Sequence, residues 1–323
     1  MTTPPCARSG ARATIVTMTH RMTTTPWFGQ KPARHETERG HVGTDLFVRE
    51  FGRDAEEAPV ILILHGAVES GACYGDAVHR WGDDFHIVAP DARGHGRSPG
   101  RLPEHEGVPS TDVMVQDAID ILEDILEETG RRTLIVGHSM GARIAAFVAA
   151  DAPHLVAGVV LEDPPWWVPE AGPNPWLSVE QTEKDPFDFA DTATVDELVE
   201  MQRAQKPHWP EEELRPLAEA MKAVDIAYME QRVHEKRRIW TPTARQITVG
   251  PTGVPALLVT GTGDVIVDKH SRERLTAVAP GFDIVVIDGA HHCVRRDKPV
   301  EYHRHVDAFL RENAPSTGSV TPR

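Results

Sequence analysis

The stretch Ile135-Val136-Gly137-His138-Ser139-Met140-Gly141 decides how the rest of the chain is interpreted. An apolar, β-branched run ends in it, and a run of helix-forming residues, 142–150, follows it. The spacing Gly-x-Ser-x-Gly between a strand and a helix is typical of a nucleophile elbow, a tight turn that exposes a serine hydroxyl. The two glycines leave room for neighbouring backbone, and the turn presents Ser139 at the positive end of the helix dipole. The stretch therefore predicts a nucleophilic serine.

Strand and helix patterns alternate on both sides of this turn. Continuous apolar runs at 59–64 and 158–161 are typical of strands that are buried on both faces of a sheet. An amphipathic helix is predicted at 111–128, with Gly130 as its end. The alternation resumes with strands at 256–260 and 284–287 and helices at 269–277 and 300–311. This order predicts an α/β fold with a mostly parallel central sheet flanked by helices.

A long stretch without a convincing strand, 164–251, interrupts the alternation. It is rich in proline, has helical patterns near 194–204 and 211–238, and is too long for a simple crossover. We therefore expect a helical cap at 164–251, inserted into a core made of 41–163 and 252–313. We expect residues 1–40 to be disordered or loosely ordered and residues 314–323 to form a flexible tail.

Composition limits the classes of partner. The net charge of −15 disfavours nucleic acid and an anionic membrane surface. No apolar run approaches the ~18 residues of a membrane span, and the N-terminal arginines lack the apolar region of a secretory signal. The three cysteines, Cys6, Cys73 and Cys293, are far apart and form no disulfide or metal-binding pattern. We therefore expect a cytoplasmic protein with a small-molecule partner, no nucleic acid and no membrane.

A serine hydroxyl is a weak nucleophile and needs a neighbouring base, normally a histidine that a carboxylate orients. His292 follows the apolar strand 283–288 on a loop that can reach the elbow, and the adjacent His291 is the alternative. The base is predicted at His292, and no metal or cofactor is needed for this chemistry.

Two aspartates that follow apolar strands, Asp264 and Asp163, are candidates for the carboxylate. The turn Gly261-x-x-Asp264 is expected to leave its carboxylate free above the sheet edge nearest the histidine. Asp163 instead runs straight into Pro164 and Pro165, which favours a structural role at the start of the cap. Asp268 is a weaker candidate, since it suits the N-cap of the following helix. Asp264 is therefore the predicted acid, with Asp163 as its competitor.

Several short motifs stand in a fixed order along the chain. They are His65-Gly66, Asp91-x-Arg-Gly-His-Gly-x-Ser98, the elbow, Gly261-Thr-Gly-Asp264 and Gly289-Ala-His-His292. Together they resemble the α/β-hydrolase superfamily over roughly residues 45–313. The resemblance implies the α/β-hydrolase fold and a Ser-Asp-His catalytic triad of Ser139, Asp264 and His292. Some members of the superfamily take the acid from the position of Asp163. The resemblance also implies that His65 supports its loop by hydrogen bonding.

The nucleophile narrows the predicted chemistry. Relatives that resemble haloalkane dehalogenases and epoxide hydrolases use an aspartate at the elbow, whereas this chain has Ser139. Acyl transfer is therefore the predicted class of reaction. We expect the backbone N–H groups of Met140 and Ala67 to form its oxyanion hole. We predict a serine esterase that acts through an acyl-enzyme. The alternatives are a lactonase, a thioesterase, a carbon–carbon bond hydrolase and, more distantly, a non-catalytic ligand-binding member.

The substrate has to be inferred from the predicted cap. Trp166 and Trp167 are candidate substrate-binding residues for an apolar or aromatic group, although they could equally join the cap to the core. Basic residues could meet a carboxylate on the substrate, which makes a half-ester such as a monoalkyl phthalate a hypothesis. These residues are Arg143, Arg232, His234 and Arg237.

Overall fold

The computed structural model describes residues 37–39, 45–166, 192–225 and 253–316. Within these ranges eight strands form one sheet in the order β1-β2-β4-β3-β5-β6-β7-β8. The strands are β1 Thr37–Arg39, β2 Val48–Gly52, β3 Val60–Leu64, β4 His86–Pro90, β5 Thr133–His138, β6 Val156–Glu162, β7 Ala256–Gly261 and β8 Asp283–Ile287. The pairs β1–β2 and β2–β4 are antiparallel, and all other pairs are parallel. The prediction of a mostly parallel α/β sheet is confirmed.

The centre of the sheet is buried on both faces. Every residue of β3, β5, β6 and β7 is buried, whereas the edge strand β8 is partly exposed. Their continuous apolar sequences follow from this position, because helices cover both faces of a parallel sheet. The carboxyl ends of these four strands lie at the same edge, so the residues that follow them are brought together there.

Most of the helices cover the two faces of the sheet, and two belong to the insertion between β6 and β7. The helices are α1 Gly75–Trp81, α2 Ser110–Thr129, α3 Met140–Asp151, α4 Val195–Gln205, α5 Glu211–Lys222, α6 Lys269–Val278, α7 Val294–Asp297 and α8 Pro299–Asn313. Apolar residues of α2, α3 and α6 pack on one face of the sheet, and those of α1 and α8 pack on the other. The predicted end of α2 is correct, since Gly130 adopts a φ of 66°, a conformation that glycine tolerates best.

The insertion between β6 and β7 contributes α4 and α5 to the described residues. Thr194 caps α4 by accepting a hydrogen bond from the Glu197 N–H, and the two helices pack through a small apolar cluster. Leu217 of α5 also joins the core on the α1 side, so this helix is packed onto the sheet domain. The remainder of the predicted cap, including the later part of the 211–238 pattern, lies outside the described residues, as do most of the two predicted loose ends.

None of the helices in the described part of the chain is both long enough and apolar enough to cross a bilayer.

Candidate active site

Ser139 lies in a strained turn between β5 and α3. Its backbone has φ 51° and ψ −112°, a region that costs a non-glycine residue about 1–3 kcal/mol and is concentrated at functional sites. A Cβ on Gly137 would lie 2.7 Å from the Ala142 Cα, and one on Gly141 would overlap the Leu64 carbonyl. The Ser139 N–H donates to the Glu162 carbonyl at 2.8 Å, which ties the turn to β6. The predicted elbow geometry is therefore present.

His292 lies between Ser139 and a buried carboxylate. Its Nε2 is 3.0 Å from Ser139 Oγ, and its Nδ1 is 2.6 Å from Asp163 Oδ2. With the Nδ1–H donated to the carboxylate, Nε2 is left to accept the serine proton. The neighbouring His291 instead contacts Asp297, through its backbone N–H at 2.7 Å and its Nδ1 at 3.1 Å. Of the two candidate histidines, the structure places His292 against the serine.

The carboxylate is Asp163, and the prediction that Asp264 occupies this position is wrong. Asp264 is exposed, whereas the Asp163 side chain is fully buried. Asp163 directly follows β6 with a φ of 39°, and the Ile266 and Val267 N–H groups of the loop after β7 bind its carboxylate, so this loop holds Asp163 and not its own Asp264 against the histidine. Asp268 serves as the N-cap of α6, accepting from the Ser271 N–H at 2.7 Å.

Asp163 is held by four donors. Its Oδ1 accepts from Thr260 Oγ1 at 2.8 Å and from the Val267 N–H at 3.0 Å, and its Oδ2 accepts from the Ile266 N–H at 2.9 Å as well as from His292. These donors satisfy both oxygens of the buried carboxylate and fix its position. Its φ of 39° is, like that of Ser139, unusual for a residue with a side chain. The loop that contains Asp264 therefore supplies backbone donors to Asp163.

The loop after β3, which carries Ala67, is held by two histidines. The Ala92 N–H donates to His65 Nε2 at 2.8 Å, so the His65 Nδ1–H donates to the Gly66 carbonyl at 2.7 Å. Burial lowers the pKa of His65, which fits the neutral form that this arrangement requires. His95 Nε2 lies 2.6 Å from the Ala67 carbonyl. Met140, the other candidate oxyanion donor, is the first residue of α3.

The described candidates for substrate binding are engaged in packing. Trp166 is buried, and its ring meets that of Phe282 edge-on at 5.8 Å within the core. This contact corresponds to the alternative that the aromatic residues join insertion and core. Arg143 is buried and donates to Thr111 Oγ1 at 2.5 Å, which links α3 to α2. Trp167, Arg232, His234 and Arg237 lie outside the described residues.

The sequence did not predict a buried network of charges that lies next to Ser139, His292 and Asp163. It begins in the loop after β3, where Glu69 is 2% exposed, contacts His138 of the elbow and reaches Arg296 of α7. Arg295 and Arg296 both bind Glu213 of α5, at 2.9 and 3.0 Å. Single charged residues carry no periodic signal, although the charged run Arg295-Arg296-Asp297, which begins three residues after His292, could have indicated the network.

Asp297 connects the segment that follows His292 to the insertion. Its Oδ1 accepts from His208 Nε2 at 2.9 Å and from Trp209 Nε1 at 2.6 Å, and its Oδ2 accepts from His291. Burial opposes ionisation of Asp297, but the hydrogen bonds from Trp209, His208 and the His291 backbone hold its pKa below the usual value. The connection between α4 and α5 is thus fixed five residues after His292.

Comparison with known proteins agrees with this architecture. The family model Hydrolase_4, described as serine aminopeptidase, S33, matches residues 55–299. A 2-(acetamidomethylene)succinate hydrolase of Mesorhizobium japonicum is 28% identical over 272 residues, which cover 79% of this chain and 87% of that protein. The human monoglyceride lipase is 32% identical over 124 residues, which cover 38% of this chain and 40% of that protein. The crystal structure of an E-2-(acetamidomethylene)succinate hydrolase superposes with a TM-score of 0.67 at 22% identity, covering 86% of this chain and all of that one.

Proposed function

Because the chain belongs to the serine aminopeptidase S33 family of α/β-hydrolases, we propose that it is a serine hydrolase that cleaves a small-molecule carboxylic ester. One observation carries the proposal: the continuous contact from Ser139 Oγ through the His292 imidazole to Asp163, with distances of 3.0 and 2.6 Å. A hydroxyl, a base and a buried carboxylate in this order are the arrangement that activates serine for acyl transfer.

The geometry supports a two-step reaction. In the first step Ser139 Oγ attacks the acyl carbon while His292 Nε2 takes the hydroxyl proton, and Asp163 stabilises the resulting imidazolium. The negative charge on the carbonyl oxygen is received by the Met140 and Ala67 N–H groups. The imidazolium then protonates the departing alcohol, leaving an acyl-enzyme. In the second step water attacks this ester, His292 takes a proton from the water, and the acid product and free serine are regenerated.

A second candidate is hydrolysis of an amide that bears carboxylates. One relative that aligns over most of this chain, the 2-(acetamidomethylene)succinate hydrolase, has a substrate whose name combines an acetamido group with succinate. The lipase, which acts on esters, matches a much shorter segment. Both reactions use the same serine chemistry and differ in the leaving group. A half-ester of a dicarboxylic acid combines the proposed ester with the carboxylate in that relative's substrate. Lactones, thioesters and carbon–carbon bonds are further substrates open to the same residues.

We further propose that the insertion acts as a cap over the site, with α4 and α5 as its described part. Its attachment to α7, directly after His292, supports that position. The widely separated cysteines support a cytoplasmic location.

A fluorophosphonate probe tests the proposal directly, because it reacts covalently only with an activated serine. We expect the wild-type protein to be labelled and Ser139→Ala, which keeps its circular dichroism spectrum, to remain unlabelled. Loss of turnover in Ser139→Ala is expected to be on the order of 10⁶.

The leaving group is identified by pairing p-nitrophenyl esters with p-nitroanilides of the same acyl groups, including succinyl and phthaloyl half-derivatives. Turnover of the esters without turnover of any matched anilide supports an esterase. Turnover of the anilides as well supports the amide candidate, because an enzyme that cleaves amides also cleaves the more reactive esters. Absence of labelling in the folded wild-type protein would exclude the acyl-enzyme reaction altogether.

A further inference from the structure

A single buried carboxylate contacts three segments of the candidate active site. Glu69 Oε2 accepts from the Gly66 N–H at 2.7 Å, from His138 Nδ1 at 3.0 Å and from the Tyr74 hydroxyl at 3.3 Å. Its Oε1 accepts from Arg296 Nη1 at 2.5 Å. Gly66 precedes Ala67, His138 precedes the serine, and Arg296 lies four residues after the base. The donors to Glu69 therefore come from the loop that carries Ala67, from the elbow and from α7, which follows His292.

The fit around this carboxylate is close. A Cβ on Gly66 would lie 2.7 Å from His138 Nδ1 and 2.9 Å from Glu69 Oε2, so a side chain at this position would push the loop away from the elbow. A carboxylate that is 2% exposed loses its hydration, and hydrogen bonds have to replace it. Because those hydrogen bonds come from three separate segments, the position of each segment depends on the other two.

His138 extends the contact to the base itself. Its Nε2 is 3.3 Å from the His292 carbonyl, and the two rings lie 4.9 Å apart at 43°. The titratable groups around the His138 ring are Glu69, Glu162, Cys293 and His292. Burial alone would lower the pKa of His138, but the Glu69 and Glu162 carboxylates raise it well above the usual value. The imidazolium can donate to Glu69 and to the His292 carbonyl at once, whereas a neutral ring has a single N–H.

We propose that Glu69 is a positioning residue that, through His138 and Arg296, holds the Ala67 loop, the serine turn and the backbone of His292 in register. The proposal rests on the acyl-transfer function proposed above. Glu69 does not touch the reacting atoms, so its effect on the rate comes from the alignment of groups that do. Misplacement of such groups by about 1 Å can cost on the order of 10² in rate.

Glu213 provides a matched control. Like Glu69 it is 2% exposed and binds Arg296, through Nε at 3.0 Å, and it also binds Arg295. Its described contacts are with the arginines of α7 and not with Gly66 or His138. Replacing either glutamate by glutamine removes one buried charge from the same network. A purely structural role therefore predicts similar effects for the two variants.

The experiment compares Glu69→Gln, Glu69→Asp and Glu213→Gln with the wild-type protein in kcat, KM, melting temperature and the NMR titration of His138. We expect Glu69→Gln to lower kcat by roughly 10–10² with little change in KM, and Glu213→Gln to stay within about threefold of wild type. The His138 titration should move to lower pH in Glu69→Gln. Glu69→Asp, which keeps the charge, should restore the His138 titration and part of kcat.

Equal losses of kcat in the two glutamine variants would overturn the proposal, and so would an unchanged kcat in folded Glu69→Gln. If Glu69→Gln does not fold, Glu69→Asp decides: its kcat should fall at unchanged KM, and a wild-type kcat refutes the role. Failure of the proposed function is distinguishable, because it would appear as a wild-type protein that neither turns over esters nor reacts with fluorophosphonate.

Discussion

Asp163→Asn is the most informative single change, because it replaces a group that only accepts with one that both accepts and donates. The carboxylate meets four donors: the Thr260 hydroxyl, the Val267 and Ile266 N–H groups and His292 Nδ1. A carboxamide has one oxygen and one NH₂. Whichever way it is oriented, its NH₂ faces a backbone N–H that has lost its acceptor.

The magnitude follows from these four contacts. An unsatisfied buried N–H costs about 1–3 kcal/mol, so we expect a loss of that order in the free energy of unfolding. If the NH₂ faces His292, the imidazole is forced into the tautomer that carries its proton on Nε2, toward Ser139. This tautomer cannot take the serine proton, and the expected loss in kcat is on the order of 10⁴, or about 5 kcal/mol. If the oxygen faces His292, the tautomer is kept and the loss of the charge gives a smaller decrease.

The assay is steady-state hydrolysis of the best p-nitrophenyl ester, with urea unfolding measured in parallel. Asp264→Asn is the matched control, since Asp264 is exposed and follows the adjacent strand. We expect this variant to change the free energy of unfolding by no more than about 0.5 kcal/mol and to leave kcat unaltered. An Asp163→Asn protein with more than a tenth of wild-type kcat, or a larger loss in Asp264→Asn, would refute the assignment of the acid.

Two further predictions concern a glycine of the serine turn and a buried carboxylate of α8 that binds α1. Gly141→Ala should abolish fluorophosphonate labelling of Ser139 and lower the melting temperature, because the added Cβ overlaps the Leu64 carbonyl. A variant that is labelled and melts like the wild-type protein would contradict the elbow geometry. Asp307 is buried, which opposes ionisation, but its hydrogen bonds with Arg80 and Trp81 hold its pKa below the usual 3.8. The ionised Asp307 therefore stabilises the folded state above about pH 3.8, and this stabilisation is lost as the pH falls through the lowered pKa. The unfolding free energies of wild type and Asp307→Asn should converge in acid. A difference that stays constant with pH would contradict this prediction.

The parts of the fold that were predictable are those with a local or periodic signal. The elbow combines a buried strand, two sterically required glycines and a helix, and each of these can be recognised from adjacent residues. Continuous apolar runs identified β3, β6 and β7, since burial on both faces leaves no polar alternation. His292 was predicted because the base has to follow a strand on the elbow's side of the sheet.

The same reasoning could not decide whether Asp163 or Asp264 contacts His292. Both follow buried parallel strands, and their distances from His292 depend on strand order and on a positive φ at Asp163. The two prolines after Asp163 suggested a purely structural residue, whereas the structure shows them following a strained aspartate that contacts the base. The network of Glu69 and Arg296 was also missed, since its members are far apart in sequence and are brought together only by packing.

The contacts of α7 bear on how insertions can be exchanged among relatives in protein engineering. The Asp297 carboxylate accepts hydrogen bonds from His208 and Trp209, and both arginines of α7 bind Glu213. The insertion therefore contacts helix residues that lie 82–89 positions later in the chain. A graft cut only at the ends of β6 and β7 would leave buried charges without partners, at about 1–3 kcal/mol or more for each lost contact. The transferable unit is therefore discontinuous: the inserted segment together with residues 295–297.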